Sequence, residues 1–480
     1  MKKILRGVKR KVMGVPFYNR MMIPYHYVRA GVSAARWGLP ARRMKVIGVT
    51  GTNGKTTTCF MIWKMLNEAG IKTGVMTTVG WGVSEIHKQV EHMTTESAGV
   101  LNERMRKLYD AGVEVLVLEV TSHALVQGRI LGVPIEVAVM TNVTHEHLDY
   151  HKTFLRYVAA KCKLFVRAKF GVVNADDESF ERFLEKMRRR KYASYGIKNG
   201  DFRASGVKLG VSGVKYAFGD IKKEREFEIK TRIPGKFNVY NSLAAACVGR
   251  YFGLSDQQIA DGIYALTEVE GRMNLIDEGQ DFRVLVDYAH TPDAILKVFE
   301  AMGADGDVDG ASKGEVADLD GAGREGKKKG RIIAVHGGAG RRDESTRAMR
   351  GEIIGAKADV FIVTEDDTRD EDVREICAEF VRGAKEARMK FFANLTEVEK
   401  ALSDDVSERV GCVIFDRREA IFAAIKLARK GDVVMILGKG HEKTILRASG
   451  AEPFEDIKVA REGILERMEK RGDKGGSLRF

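Results

Sequence analysis

Residues 46–58 read Val46-Ile47-Gly48-Val49-Thr50-Gly51-Thr52-Asn53-Gly54-Lys55-Thr56-Thr57-Thr58, and they constrain the chain more than any other stretch. An apolar, strand-forming run passes into a glycine-bearing turn, then into lysine and hydroxyl residues at what reads as a helix start. That order builds a phosphate-binding loop: backbone N–H groups and the helix N-terminus hold the anion, the lysine adds a mobile cation, and the first hydroxyl reaches a divalent metal. Gly51, Thr52, Asn53, Gly54, Lys55, Thr56 and Thr57 are thus candidates to hold a nucleoside triphosphate, with Thr56 on Mg2+. The longer GxxxxGK[ST] spacing would need glycine where Val49 stands, so the loop is the shorter Gly51–Thr56 form.

A strand–turn–helix unit of this kind belongs to α/β architecture with a mostly parallel sheet. The rest of the chain continues the pattern. Strand candidates are Val46–Thr50, Val115–Val120, Val137–Thr141 and Gly171–Asn174, then a second series at Val284–Val286, Ile332–Val335, Val360–Val363, Val413–Phe415 and Val433–Leu437. Residues 200–232 alternate in shorter runs, as in Lys215-Tyr216-Ala217-Phe218, and predict a small antiparallel section. The expected organisation is a leader over 1–43, with helical patches broken near Pro16, Pro24 and Pro40. A central domain over 44–278 and a C-terminal α/β domain over 279–468 follow, then a tail over 469–480. Residues 303–330 are rich in Gly, Asp, Ala and Lys and read as a flexible insertion.

The net charge of +13 is concentrated at one end. Residues 1–45 hold twelve lysines and arginines and no acid, which leaves the remainder close to neutral. A nucleic-acid-associated ATPase would carry basic residues and stacking aromatics across its body, so nucleic acid is not expected as a partner. The basic leader suits peripheral contact with an anionic lipid surface or an anionic substrate. No apolar run approaches the ~18–20 residues that span a bilayer. The five cysteines are scattered, without CxxC spacing, as expected of reduced thiols in a cytoplasmic protein. A monomer is expected.

Two further clusters carry chemistry. Glu119 closes the apolar run Val115–Val120, where a carboxylate can hold Mg2+ on nucleotide phosphates. His145, His147 and His151 fall within seven residues, but without the cysteines or Glu-x-x-His helix of zinc sites.

Taken in order, these and other motifs resemble the Mur ligases, ATP-dependent amide-forming enzymes of peptidoglycan synthesis, and within them the MurE-type subfamily that adds the third residue. The resemblance spans about 44–468. It rests on Gly51–Thr58, Glu119-Val120-Thr121-Ser122-His123-Ala124-Leu125, His147-Leu148-Asp149-Tyr150-His151, Ala159-Ala160-Lys161 with Leu164-Phe165, and Gly235-Lys236-Phe237-Asn238 with Asn241. It continues through Gly271-Arg272-Met273, Asp287-Tyr288-Ala289-His290-Thr291-Pro292-Asp293, Asp416-Arg417-Arg418-Glu419-Ala420-Ile421 and Gly438-Lys439-Gly440-His441-Glu442.

The resemblance implies a P-loop central domain and a Rossmann-like C-terminal domain. It implies ATP and two Mg2+ as cofactors, with Lys161 carbamylated so that an anion replaces a cation beside the second Mg2+. Thr56, Glu119, His147 and carbamylated Lys161 become metal ligands, and Lys55, Glu119, His147, Lys161 and Arg272 the catalytic set. Asn238, Arg272 and Asp287 match ATP-holding positions; Thr94, Thr95, Thr121, Gln127 and Arg129 match contacts to a UDP-N-acetylmuramoyl dipeptide. The implied reaction makes an acyl phosphate of D-Glu, which the amine of a diamino acid then attacks. A folylpolyglutamate-type ligase is the sister alternative, but it lacks the Asp-Tyr-Ala-His-Thr-Pro motif.

Two departures stand out. The family ordinarily opens with a UDP-binding domain, where this chain carries only the short basic leader, so the N-terminal region reads as truncated. Glu96 follows Thr94-Thr95 in place of proline and puts an acid near an anionic substrate. Amino-acid choice falls to Arg347, Asp366, Asp367, Arg369, Gly438 and Glu442. A guanidinium at Arg369 suits the distal carboxylate of meso-diaminopimelate, whereas Asp367, where the diaminopimelate-adding enzymes have Asn, leaves L-lysine open.

Overall fold

The computed structural model describes residues 15–89, 93–144, 146–187, 190–210, 212–303, 330–342, 344–405 and 407–471. The start of the leader, His145, nearly all of the proposed insertion and the end of the tail lie outside the described residues. The chain divides into two compact units, one holding most residues up to Thr267 and the other most from Glu268; the sequence reading put the division at 278–279.

The strands of the first unit are β1 (Lys45–Thr50), β2 (Thr73–Met76), β3 (Gly80–Gly82), β4 (Ile86–Lys88), β5 (Val115–Glu119), β6 (Ile135–Met140), β7 (Ala168–Asn174), β8 (Lys191–Gly196), β9 (Phe202–Gly210), β10 (Gly213–Asp220) and β11 (Arg225–Thr231). Among the described residues they form one sheet in the order β11-β10-β9-β8-β7-β6-β1-β5-β2-β3-β4. Its centre is parallel and covered on both faces, which is why β1, β5 and β6 read as near-continuous apolar runs. The expected antiparallel section is present, with β10 and β11 antiparallel, and it continues the main sheet through the parallel β8–β9 pair. The helix Lys55–Glu68 follows the phosphate loop and packs close to the helix Asp256–Tyr264, where a Cβ on Gly262 would sit 2.6 Å from the Met65 Cα.

The second unit holds β12 (Asn274–Ile276), β13 (Arg283–Asp287), β14 (Ile332–Gly338), β15 (Val360–Glu365), β16 (Lys390–Phe391), β17 (Val410–Val413) and β18 (Val433–Leu437), in the order β12-β13-β18-β14-β15-β17-β16. A separate hairpin pairs β19 (Thr444–Arg447) with β20 (Gly450–Pro453). Helices such as Arg347–Lys357, Val373–Glu386 and Arg417–Leu427 separate the parallel strands, completing an α/β unit.

Two expectations are corrected. The candidate strand Val413–Phe415 is the end of β17 and the turn beyond it; the ladder toward β15 starts earlier, at Val410. The break near Pro24 is absent: Val15–Arg36 is one helix with Pro24 inside it. Proline lacks the N–H that would bond the carbonyl four residues earlier, and tertiary packing offsets that loss. Ala30, Ser33 and Ala34 are buried, and the Ser33 hydroxyl donates to the Ala98 carbonyl at 3.0 Å on the helix Ala98–Asp110.

Candidate active site

In the first unit, β1 lies between β5 and β6, all three parallel, with Val49 beside Glu119 and Thr50 beside Met140. Their C-terminal ends therefore open at one edge, which brings residues 51–54, 119–122 and 141–144 together. Gly51 is required by close approach, since a Cβ there would fall 1.8 Å from the Thr141 hydroxyl. Gly54 caps the helix at φ +81°, a left-handed conformation that disfavours side chains, and its Cβ would sit 2.3 Å from Asn241 Oδ1.

The loop is held from β6. The Asn53 N–H donates to Asn142 Oδ1 at 2.9 Å, Asn142 Nδ2 donates to the Asn53 carbonyl at 3.0 Å, and the Thr141 hydroxyl donates to the same carbonyl at 2.7 Å. Lys55 Nζ donates to the Thr52 carbonyl at 2.7 Å. The Thr56 hydroxyl donates to Glu119 Oε2 at 3.0 Å, and the Thr78 N–H and hydroxyl donate to the same oxygen, each at 3.0 Å. Thr57 is buried in the first turn. Asn238 is buried and accepts from Asn241 Nδ2 at 2.8 Å, and Thr58 donates to Asn241 Oδ1 at 3.3 Å.

Lys161, on the helix Phe154–Phe165, reaches under the loop and donates to the Gly51 carbonyl at 2.5 Å. It is 1% exposed, with its ammonium 4.4 Å from the Tyr157 ring. Burial, and then the charge of Lys55, push its pKa well below that of an ordinary lysine, against Glu146 and Asp177. Tyr157, one helical turn earlier, pairs with the Thr52 hydroxyl at 3.1 Å and donates to Glu146 Oε2 at 3.2 Å. His147 adopts φ +54°, with Nε2 3.6 Å from Glu146 Oε1 and its ring 4.8 Å from that of His123. Burial, with His147 and His151 nearby, lowers His123 to about 3, so it stays neutral. His151 bonds the Ser122 hydroxyl at 2.9 Å.

The candidates for the muramoyl dipeptide also converge. The Thr95 hydroxyl donates to the Glu119 carbonyl at 2.9 Å and accepts from the Thr121 N–H at 3.0 Å; Arg129 donates to Gln127 Oε1 at 2.9 Å and to the Thr95 carbonyl. Thr94 is half-buried beside them. Glu96 is buried, with Arg104 at 3.5 Å, and its charge also acts on Arg129.

In the second unit, Arg272 stacks on the Tyr288 ring at 4.5 Å. Asp287 accepts from the N–H groups of Met273 and Ala289, each at 2.7 Å, and burial raises its pKa despite Arg272. The Gly438 N–H donates to the Asp287 carbonyl at 3.0 Å, so the 287 and 438 turns share an edge. There Lys439, fully buried, donates to Asp366 at 3.3 Å, Asp367 at 2.8 Å and Glu442 at 2.9 Å. Burial alone would depress Lys439, but Asp366, Glu442 and Asp367 raise it instead. Burial likewise works against ionised Asp366, yet Lys439 and Arg417 hold it well below the usual range. The three carboxylates lie close enough together to ligate a metal ion, and the Lys439 ammonium already sits among them.

Arg369, at φ +55°, donates to the Gly340 carbonyl at 2.5 Å, and its guanidinium is 4.0 Å from Asp367. Arg347 is committed elsewhere: it is buried in a two-pronged pair with Glu371 at 2.6 and 2.8 Å, and donates to the Ala339 carbonyl at 3.0 Å. Its place beside the other candidates is through the 339–340 loop, whose Gly340 N–H donates to the Asp367 carbonyl at 2.8 Å.

Sequence reasoning overlooked Tyr157, Thr78, Asn142 and Lys439 as working parts. Tyr157 could have been found, since it precedes Lys161 by the four residues that share a helix face. Lys439, between two glycines, gives no hint of its burial.

Family models match on both sides of this geometry: the Mur ligase middle domain over residues 49–249, and the glutamate ligase domain of Mur ligases over 311–440. A UDP-N-acetylmuramoyl-L-alanyl-D-glutamate–2,6-diaminopimelate ligase of Syntrophomonas wolfei is 35% identical, over 90% of this chain and 80% of its own. A UDP-N-acetylmuramyl-tripeptide synthetase of a Roseiflexus species is 34% identical, over 91% and 82%. A solved UDP-N-acetylmuramoyl-L-alanyl-D-glutamate–2,6-diaminopimelate ligase superposes with a TM-score of 0.57 at 28% identity, over 88% of this chain and 79% of the other. The chain belongs to the Mur ligase family of ATP-dependent ligases.

Proposed function

We propose that this ligase joins meso-diaminopimelate to the D-Glu carboxylate of UDP-N-acetylmuramoyl-L-alanyl-D-glutamate, at the expense of ATP, during peptidoglycan synthesis. The observation that carries the amino-acid choice is the position of Lys439. Asp367 would by itself repel a distal carboxylate. Its charge is met in part by Lys439 at 2.8 Å, by the Leu446 N–H at 3.0 Å and by the Arg369 guanidinium at 4.0 Å, and the planar fork of Arg369 suits a distal carboxylate through bidentate hydrogen bonds. Glu442, at the rim of the same cluster, suits the distal ammonium. L-lysine has no distal carboxylate to offer Arg369.

The residues present fit the expected cofactors. Gly51 and Gly54 let the loop close on Thr141 and Asn241, which holds its backbone in the tight turn a phosphate-binding loop needs. Thr56, Thr78 and Glu119 offer an all-oxygen donor set suited to a hard divalent cation. His147 and Lys161 are the candidates for a second ion. Burial and Lys55 favour the neutral amine at Lys161, the form that adds CO2, and its carbamate would be a carboxylate-like ligand. Bound there, Mg2+ supplies charge neutralisation on the transferring phosphoryl group.

The chain's own residues then divide the work. Lys55 swings from the Thr52 carbonyl to the phosphates, and Arg272 offers a cation to the charge that develops on transfer. Thr95, Thr121, Gln127 and Arg129 position the dipeptide. The D-Glu carboxylate takes the phosphoryl group, the diamino acid's amine attacks the acyl carbon, and phosphate leaves. Phosphate release is to be measured with the UDP-muramoyl dipeptide plus either diaminopimelate or L-lysine. Release requiring diaminopimelate is the expected outcome; release with lysine alone would overturn the amino-acid assignment, and no release with either would overturn the substrate.

A further inference from the structure

The helix Val15–Arg36 has two unlike faces. One packs on the first unit through buried Ala30, Ser33 and Ala34. Tyr27 seats it further along: a Cβ on Gly128 would touch the Tyr27 ring at 2.8 Å, beside Gln127 and Arg129. The opposite face is where a surface helix normally carries polar residues. Here it carries Tyr25, Val28 and Val32, spaced to form one stripe, and these are 48%, 67% and 65% exposed. Pro24 and Ala35 are exposed on the same side. Arg29 and Arg36, both exposed, border the stripe. No acid occurs in the sequence before Glu68, whereas residues 1–45 hold twelve cations.

We propose that this face lies in the surface of an anionic lipid bilayer. An apolar stripe bordered by arginines is the pattern of a helix that rests in the headgroup region, with guanidinium heads reaching lipid phosphates while their stems stay in the apolar layer. No carboxylate on this helix itself repels an anionic surface. A nucleic acid would satisfy the cations but leave Val28 and Val32 in water, so the stripe selects the bilayer. The helix rests against Gly128, so the contact brings the Gln127–Arg129 turn close to the membrane.

The test is flotation of the full chain with phosphatidylcholine vesicles, with and without phosphatidylglycerol. Flotation is expected only with phosphatidylglycerol, reduced by salt, and weakened roughly tenfold or more in the double variant Val28→Glu, Val32→Glu. Val28→Leu, Val32→Leu should float at least as well as the parent. Both variants change exposed positions, so phosphate release on soluble substrate should match the parent, which reports an intact fold. Failure of the parent to float overturns the proposal, as does flotation that the glutamate variant keeps. Binding of an oligonucleotide without flotation would assign the basic end to nucleic acid instead.

Discussion

Lys161 in the first unit and Lys439 in the second are both essentially removed from water, yet their charges are driven in opposite directions. Lys161 has a carbonyl, an aromatic ring and another lysine for company, and burial wins: its pKa falls well below normal. Lys439 is ringed by Asp366, Asp367 and Glu442, and attraction overcomes burial, so it remains an ammonium. Burial sets the cost of a charge, and neighbours decide whether that cost is met. Under the proposed function, the first is the lysine offered for carbamylation and the second shapes the pocket offered to the amino acid.

The largest effect should come from Lys439→Met, which removes the one ammonium bonded to all three carboxylates. A loss of about 3–5 kcal/mol in urea denaturation is expected, and an unchanged midpoint would break the contrast. Lys161→Ala should lower kcat roughly 10²–10³-fold with little loss of stability. In addition, the parent should lose activity on removal of CO2 and regain it with bicarbonate. Full activity in CO2-free buffer would reduce Lys161 to a structural donor.

Arg369→Ala tests the pocket that Lys439 shapes. Removing one charged, forked contact should cost about 2–3 kcal/mol, or roughly 30–150-fold in KM for diaminopimelate, with no comparable change for L-lysine. Equal losses for both amino acids would remove Arg369 from carboxylate recognition.

The smallest effect is a pH dependence in the second unit. His336 is buried, with Nδ1 3.2 Å from the Leu437 carbonyl, and burial lowers its pKa from 6.5 to about 3. Below about 6.5 the unfolded chain binds a proton that the folded chain refuses until about 3. Its contribution is therefore complete above about 6.5 and is lost as pH falls toward about 3. Between about pH 7.5 and about pH 5 the parent should lose about 2 kcal/mol more than His336→Gln; identical losses would show that His336 does not titrate this way.

The central strands were legible because a sheet covered on both faces demands unbroken apolar runs, and β1, β5 and β18 have them. The short strands β3, β4 and β16 lacked such runs and went unread. The helix through Pro24 was misread because local propensity outweighed packing that only the fold supplies. The phosphate loop was readable because its parts are consecutive, so glycine, lysine and threonine act on one short backbone segment.

The amino acid sequence by itself determined the α/β layers, the phosphate loop and the order of motifs, since these depend on short-range pattern and backbone geometry. Only the tertiary structure decided that Glu96 is buried beside Arg104, that Arg347 is spent on Glu371, and that Lys439 bonds Asp367. Charge balance in a pocket depends on which side chains share a low-dielectric space, and residues 366, 369 and 439 meet there only because the parallel strands β15 and β18 end at the same edge of one sheet.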